Sequence, residues 1–275
     1  MDHKPFVISS NKPNELPITC DLTSRTKNKK VIIFCHGFKG FKDWGCWNLV
    51  ANYFVNNGFN FLKFNFSHNG TTLENTSQIS DLNTFSKNNY SIELSDITRV
   101  IDFVLSGKIS VKMSNIFIIG HSRGGGIACL GTQNHPQISK LVTWAGVANF
   151  KDRFPNNEEL ENWKEIGERF IVNSRTKQML PQKYQFYKDF IKNEKSLNIY
   201  NALKKYKGKL LVCYGTLDQV LPKEYALNMV KWSENSEIRS FRTNHTFGSK
   251  HLWENTSLPE IMIDLCDATI GFLKD

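Results

Sequence analysis

The chain is 275 residues long, 40% hydrophobic and 22% charged, with a formal net charge of +9. These proportions suit one globular domain, or one domain with an inserted piece, and argue against disorder. The basic balance alone would admit nucleic acid or an anionic membrane as partners, but the lysines are interspersed with asparagines and acids and no run reaches the roughly 18 apolar residues of a membrane span, so neither is expected.

In chain order, Met1-Asp2-His3-Lys4-Pro5 lacks the basic start, apolar core and cleavage site of a secretory leader, so a cytoplasmic location is the expectation. Val31-Ile32-Ile33-Phe34-Cys35, ending in His36-Gly37, reads as a strand buried on both faces of a largely parallel sheet. Trp47, Val50, Ala51, Phe54 and Val55 fall at helical spacing within 44–57, and Gly58 makes a stop. Residues 59–66 form the next predicted strand. A helix over 92–105 follows, carried by Ile97, Ile101 and Val104 and closed at Gly107. The run Ile116-Phe117-Ile118-Ile119 is another strand, and a helix over about 123–133 and a strand at 141–145 continue the β-then-α alternation.

The pattern then breaks. Residues 149–208 show no convincing buried strand and read as short amphipathic helices interrupted by Pro155 and Pro181, so a helical cap inserted into the domain is predicted. Residues 151–209 hold 14 Lys or Arg against 8 Asp or Glu, an excess that raises the expectation of substrates carrying a carboxylate or phosphate. Strands return at 210–214 and about 237–241, separated by a helix starting near Pro222. A final helix has Ser257 and Glu260 as a capping-box pair and an apolar stripe through Ile261, Leu265, Ala268 and Phe272. The six cysteines are scattered without a C-x-x-C pair and read as buried thiols, and the seven histidines add no clustered metal-ligand spacing, so no metal is expected.

The chemistry is concentrated in Gly120-His121-Ser122-Arg123-Gly124, directly behind the strand at 116–119. A G-x-S-x-G pentapeptide there places Ser122 on a tight strand-to-helix turn, where small neighbours are needed and the hydroxyl is exposed. A serine hydroxyl needs a base to take its proton and an acid to orient that base. Asp218, four residues past Tyr214, and His245, four residues past Phe241, follow the two late strands, and the order Ser122, Asp218, His245 completes a Ser-His-Asp set. Glu224 is the competing acid and His251 the competing base. His36 and His121 flank the two key turns and read as packing or hydrogen-bonding residues, and His68 as a polar turn residue. Trp44, Trp47, Trp163, Phe186 and Tyr187 read as core or as contacts for an aromatic substrate.

With His36-Gly37-Phe38, the pentapeptide, Asp218 followed by Pro222, and His245-Thr246-Phe247, the chain resembles the α/β-hydrolase superfamily of serine hydrolases over nearly its whole length. Within it the small motifs are most similar to the dienelactone-hydrolase-like and cinnamoyl or feruloyl esterase-like branch. The resemblance implies an α/β fold with a mostly parallel sheet flanked by helices. It also implies an oxyanion hole made by the backbone N–H groups of Phe38 and Arg123, and no cofactor. The implied activity is hydrolysis of a small-molecule carboxylic ester through an acyl-enzyme. A thioesterase, a small-peptide hydrolase or a non-catalytic protein on the same fold are the alternatives, and a homodimer is compatible with such a chain.

Overall fold

The computed structural model describes residues 1–10, 12, 15–25, 29–109, 113, 115–173 and 176–275. The chain opens with strands β1 (Asp2–Ile8), β2 (Ile18–Ser24) and β3 (Lys30–Cys35), followed by helix α1 (Trp47–Asn56) and strand β4 (Asn60–Phe64). Helices α2 (Leu82–Ser86) and α3 (Tyr90–Leu105), strand β5 (Asn115–His121), helix α4 (Arg123–Gly131) and strand β6 (Ile138–Trp144) come next. The segment up to the next sheet strand holds a 3-10 turn at Lys151–Arg153, α5 (Asn157–Ile166), β7 (Glu168–Val172), β8 (Met179–Lys183), α6 (Gln185–Asn193) and α7 (Ile199–Lys205). Strand β9 (Lys209–Gly215), α8 (Lys223–Trp232), β10 (Ser236–Phe241) and α9 (Glu260–Lys274) complete the chain.

Eight strands form one sheet in the order β1-β2-β4-β3-β5-β6-β9-β10. The pairs from β4 through β10 are parallel, and β2 runs antiparallel to both β1 and β4. This is the α/β-hydrolase fold with its mostly parallel sheet. The uninterrupted apolar runs have a direct cause: alternate residues serve opposite faces. Val31, Ile33, Cys35, Ile116 and Ile118 join the core under α3, α4, α7 and α8, whereas Ile32, Phe34, Phe117 and Ile119 join the core under α1 and α9. Because the central strands are parallel, the loops after β3, β5, β9 and β10 emerge along one edge, where ligands of such sheets bind.

Three expectations need correction. The capping box is absent: α9 starts at Glu260 with Pro259 at its N-cap, and the Ser257 carbonyl accepts a hydrogen bond from Trp253 Nε1–H. The segment at 149–208 is not wholly helical, because β7 and β8 pair antiparallel within it. That hairpin is its own two-stranded sheet with Phe170, Val172 and Met179 half exposed, so it lacks the continuous apolar run of a core strand. Its last helix is also not cap-like. Ile199, Ala202 and Leu203 of α7 are buried in the main core, so α7 is the return leg that carries the chain back to the start of β9. No described helix is long and apolar enough to cross a membrane.

Candidate active site

Ser122 sits between β5 and α4 with φ 55° and ψ −121°, a left-handed conformation costly for any residue with a side chain. The surroundings hold it there. Its N–H donates to the Trp144 carbonyl at 3.0 Å, and its own carbonyl accepts from the N–H groups of Gly125 and Val147, both at 3.0 Å. Glycines at the turn are a matter of contact: a Cβ on Gly120 would lie 2.6 Å from Gly125 Cα, and one on Gly124 would collide with the Cys35 and His36 carbonyls. The helix start therefore presses against the ends of β3 and β5.

The structure brings Ser122, Asp218 and His245 together. His245 Nε2 lies 2.9 Å from Ser122 Oγ, and its Nδ1 lies 2.7 Å from Asp218 Oδ2. Asp218 Oδ1 accepts from the backbone N–H groups of Val220 (2.7 Å) and Leu221 (3.1 Å), fixing the carboxylate from the other side. Burial works to raise the Asp218 pKa, but the hydrogen bond and charge of His245 and these two amides outweigh it, so the carboxyl lies below its ordinary value. An ionised acid facing Nδ1 makes that nitrogen the donor, and Nε2 is then the acceptor facing the serine hydroxyl.

The other candidates separate from this set. His251 accepts from Gly45 N–H at Nδ1 (3.2 Å) and packs edge-on against Phe41, and Glu224 lies in the first turn of α8 outside the Ser122 cavity. His121 donates from Nε2 to the His245 carbonyl at 3.0 Å, bracing the backbone of the base. Burial, then the neighbouring His245, lowers its pKa to about 3, so it stays neutral. His36 bonds the Gly37 carbonyl through Nδ1 and accepts from Phe66 N–H, with burial lowering its pKa to about 4. His68 is buried beside Ser67. Trp44, Trp47 and Phe186 are core residues that also reach the cavity wall, whereas Trp163 and Tyr187 do not line it.

Phe38 and Arg123, the expected oxyanion residues, both line the cavity and hold each other: the Arg123 guanidinium carbon lies 3.7 Å from the Phe38 ring centroid. Behind them stands Glu93 of α3, which sequence reading missed. Its Oε1 lies 3.2 Å from Arg123 Nη1 and accepts from Asn88 Nδ2–H at 2.7 Å. Burial raises the Glu93 pKa, while Arg123 and Asn88 oppose that rise. Glu93 is placed by α3, whose N-terminus is capped by Asn89 accepting from Ile92 N–H at 2.8 Å. The only sequence trace of this arrangement is an acid on the buried stripe of a helix, a signal of burial with no indication of the partner.

Ser122, His245, Phe38 and Arg123 line a cavity of about 970 Å³ roofed by the segment after β6. Its apolar wall includes Tyr90, Phe150, Phe154 and Phe186, with Tyr90 and Phe150 stacked at 3.9 Å between centroids. Among the described residues, no group of three or more His, Cys, Asp or Glu is arranged to hold a metal ion. All six cysteines are free and buried.

The profile of the family described as serine aminopeptidase, S33, matches residues 26–216. No curated protein matches the chain. Among solved structures, Est1E from Butyrivibrio proteoclasticus is similar at 14% identity and a TM-score of 0.70, with 98% of this chain and 97% of that chain covered. A putative hydrolase from Agrobacterium vitis S4 shares 14% identity with 98% and 99% covered and a TM-score of 0.75. The mouse alpha/beta hydrolase domain-containing protein 10 shares 15% identity with 99% and 98% covered and a TM-score of 0.72. At these identities the likeness speaks to the fold.

Proposed function

The chain belongs to the serine aminopeptidase S33 family of α/β-hydrolases, and from that premise we propose that it hydrolyses carboxylic esters of small acyl or aromatic acids through an acyl-enzyme on Ser122. Ser122 Oγ attacks the ester carbonyl as His245 Nε2 takes its proton, and Asp218 stabilises the imidazolium that results. Negative charge develops on the carbonyl oxygen, which the amides of Phe38 and Arg123 receive. Arg123 opens a helix, so its amide adds the favourable end of the helix dipole. Collapse expels the alcohol with the proton from His245. Water then attacks the acyl group with His245 again as base, releasing the acid and restoring the serine.

The observation that carries this reading is the continuous run Asp218–His245–Ser122, with contacts of 2.7 and 2.9 Å, opening onto an aromatic cavity. The family description and one structural relative point to different acyl bonds. An aminopeptidase must hold a substrate ammonium, yet among the described residues the cavity wall carries Lys39, Arg123, Arg153 and Arg169 against one acid, Glu159. That sign disfavours a cation and supports the ester. A solved structure of Est1E has ferulic acid bound, and the aromatic wall here suits an acid of that kind.

The test is labelling with a fluorophosphonate, followed by mapping of the modified peptide and assay on esters, thioesters and aminoacyl amides. The expected result is a single adduct on Ser122 and turnover fastest on esters. Failure of the folded protein to label at Ser122, or faster turnover of the aminoacyl amides, would overturn the reading.

A further inference from the structure

The cationic wall has one member built differently from the rest. Arg169, on β7, lies over the buried Trp163, its guanidinium carbon 4.0 Å from the ring centroid. Its Nε–H donates to Gln182 Oε1 at 2.9 Å, and Gln182 sits on the paired strand β8 and is itself buried. The ring contact and the Nε–H hydrogen bond hold the guanidinium without using its two terminal nitrogens. Among the described residues, the carboxylate near those nitrogens is Glu159, whose Oε1 stays 3.6 Å from Nη1 on a side chain 71% exposed. Arg123, by contrast, is matched by the buried Glu93.

A guanidinium on a cavity wall, held over an aromatic ring and through its Nε–H while its terminal nitrogens carry only a loose exposed partner, is the half-site of a bidentate carboxylate pair. The position is also short of negative charge. Burial works against the charged form of Arg169, Glu159 favours it, and nearby Arg123 adds repulsion, leaving the pKa below the ordinary value. An anion seated at the fork would favour the charged guanidinium and offset the repulsion from Arg123. The flanking surface is aromatic, with Phe154 and Phe170 on the same wall, which favours a planar carboxylate over a strongly hydrated phosphate dianion.

We propose that the cavity selects esters whose acid or alcohol part carries a second, free carboxylate, anchored by the Arg169 guanidinium. This rests on the ester-hydrolase reading above and adds the substrate class to it.

Two matched pairs test it: the 4-nitrophenyl esters of hexanoate and of mono-ionised adipate for the acid part, and benzyl acetate with 4-carboxybenzyl acetate for the alcohol part. At low salt, kcat/KM should favour the anionic member of at least one pair by about tenfold or more, the worth of a charge-assisted hydrogen bond. Arg169→Met should erase that ratio, and Arg169→Lys, which keeps the charge without the fork, should leave it intermediate. Glu159→Gln, an exposed change that removes the competing carboxylate, should raise it about two- to threefold. Turnover of the neutral esters with no anionic preference, or a preference that survives Arg169→Met, overturns this inference alone. No turnover on any ester, with Ser122 unlabelled, overturns the ester-hydrolase reading itself.

Discussion

The sheet edge and the segment folded over it are built on opposite terms. Ser122 and Asp218 stand on loops leaving strands buried on both faces and His245 on the loop leaving the edge strand β10, and each is held by several contacts. The nucleophile is held by three backbone hydrogen bonds and the acid by two amides besides the imidazole. The roof instead exposes large apolar side chains: Ile166, Phe170, Val172 and Met179 are each at least half open to solvent. The Ser122 site is thus densely hydrogen-bonded, whereas the roof keeps accessible apolar surface.

That division can be broken by substitution, beginning with the largest effect. Ser122→Ala should lower kcat by about 10⁴ to 10⁶ and abolish fluorophosphonate labelling while leaving the melting temperature at or above that of the wild type. A folded variant with an unchanged esterase rate would refute the role of Ser122. Glu93→Gln removes the charge behind Arg123 without emptying the space. Steady-state kinetics should show kcat falling about 10- to 100-fold with little change in KM, as expected when a donor is displaced from its productive position. A change confined to stability would make Glu93 a packing residue only. Phe170→Ala, at the exposed part of the roof, should cut kcat/KM for aromatic-acid esters about tenfold relative to acetate esters, with the melting temperature unmoved. Equal losses on both substrates would place substrate choice elsewhere.

A further effect lies wholly in the scaffold. Burial, against hydrogen bonds from Ser67, raises the Asp96 pKa to about 7. An acid with a raised folded-state pKa stabilises the fold at low pH and loses that contribution as pH rises from about 4 to 7. Wild type should therefore lose about 2 kcal/mol relative to Asp96→Asn between about pH 5 and pH 8, measurable by urea denaturation. Parallel curves for the two proteins would show that this carboxyl does not titrate in that range.

The reading of the sequence was strongest where local pattern and tertiary role coincide. The runs before His36 and Ser122 are central strands because a strand covered on both sides needs an unbroken apolar sequence. Asp218 was legible because it follows such a strand by four residues, and His245 because it stands the same distance past the edge strand β10. The opening strands were missed for the converse reason. β1 (Asp2–Ile8) is largely exposed and contains Pro5, and β2 buries Asp21, which pairs with Lys42 while Lys63 of β4 reaches Asp43. Charges buried as mutual partners look like surface residues in a sequence. Glu93 and Arg169 belong to the same class, since what gives each its place is a residue far away in the chain or an aromatic face beneath it.

The return leg α7 bears on how this molecule can change. Parallel strands β6 and β9 must be joined by a path that crosses from one edge of the sheet to the other, and the buried face of α7 against α4 and α8 supplies that crossing. The roof between Phe154 and Leu197 is thus a detour from the thread of the fold. Loop closure grows only slowly in cost with length, so a descendant of this chain can shorten, lengthen or re-sequence the detour while Ser122, Asp218 and His245 stay untouched.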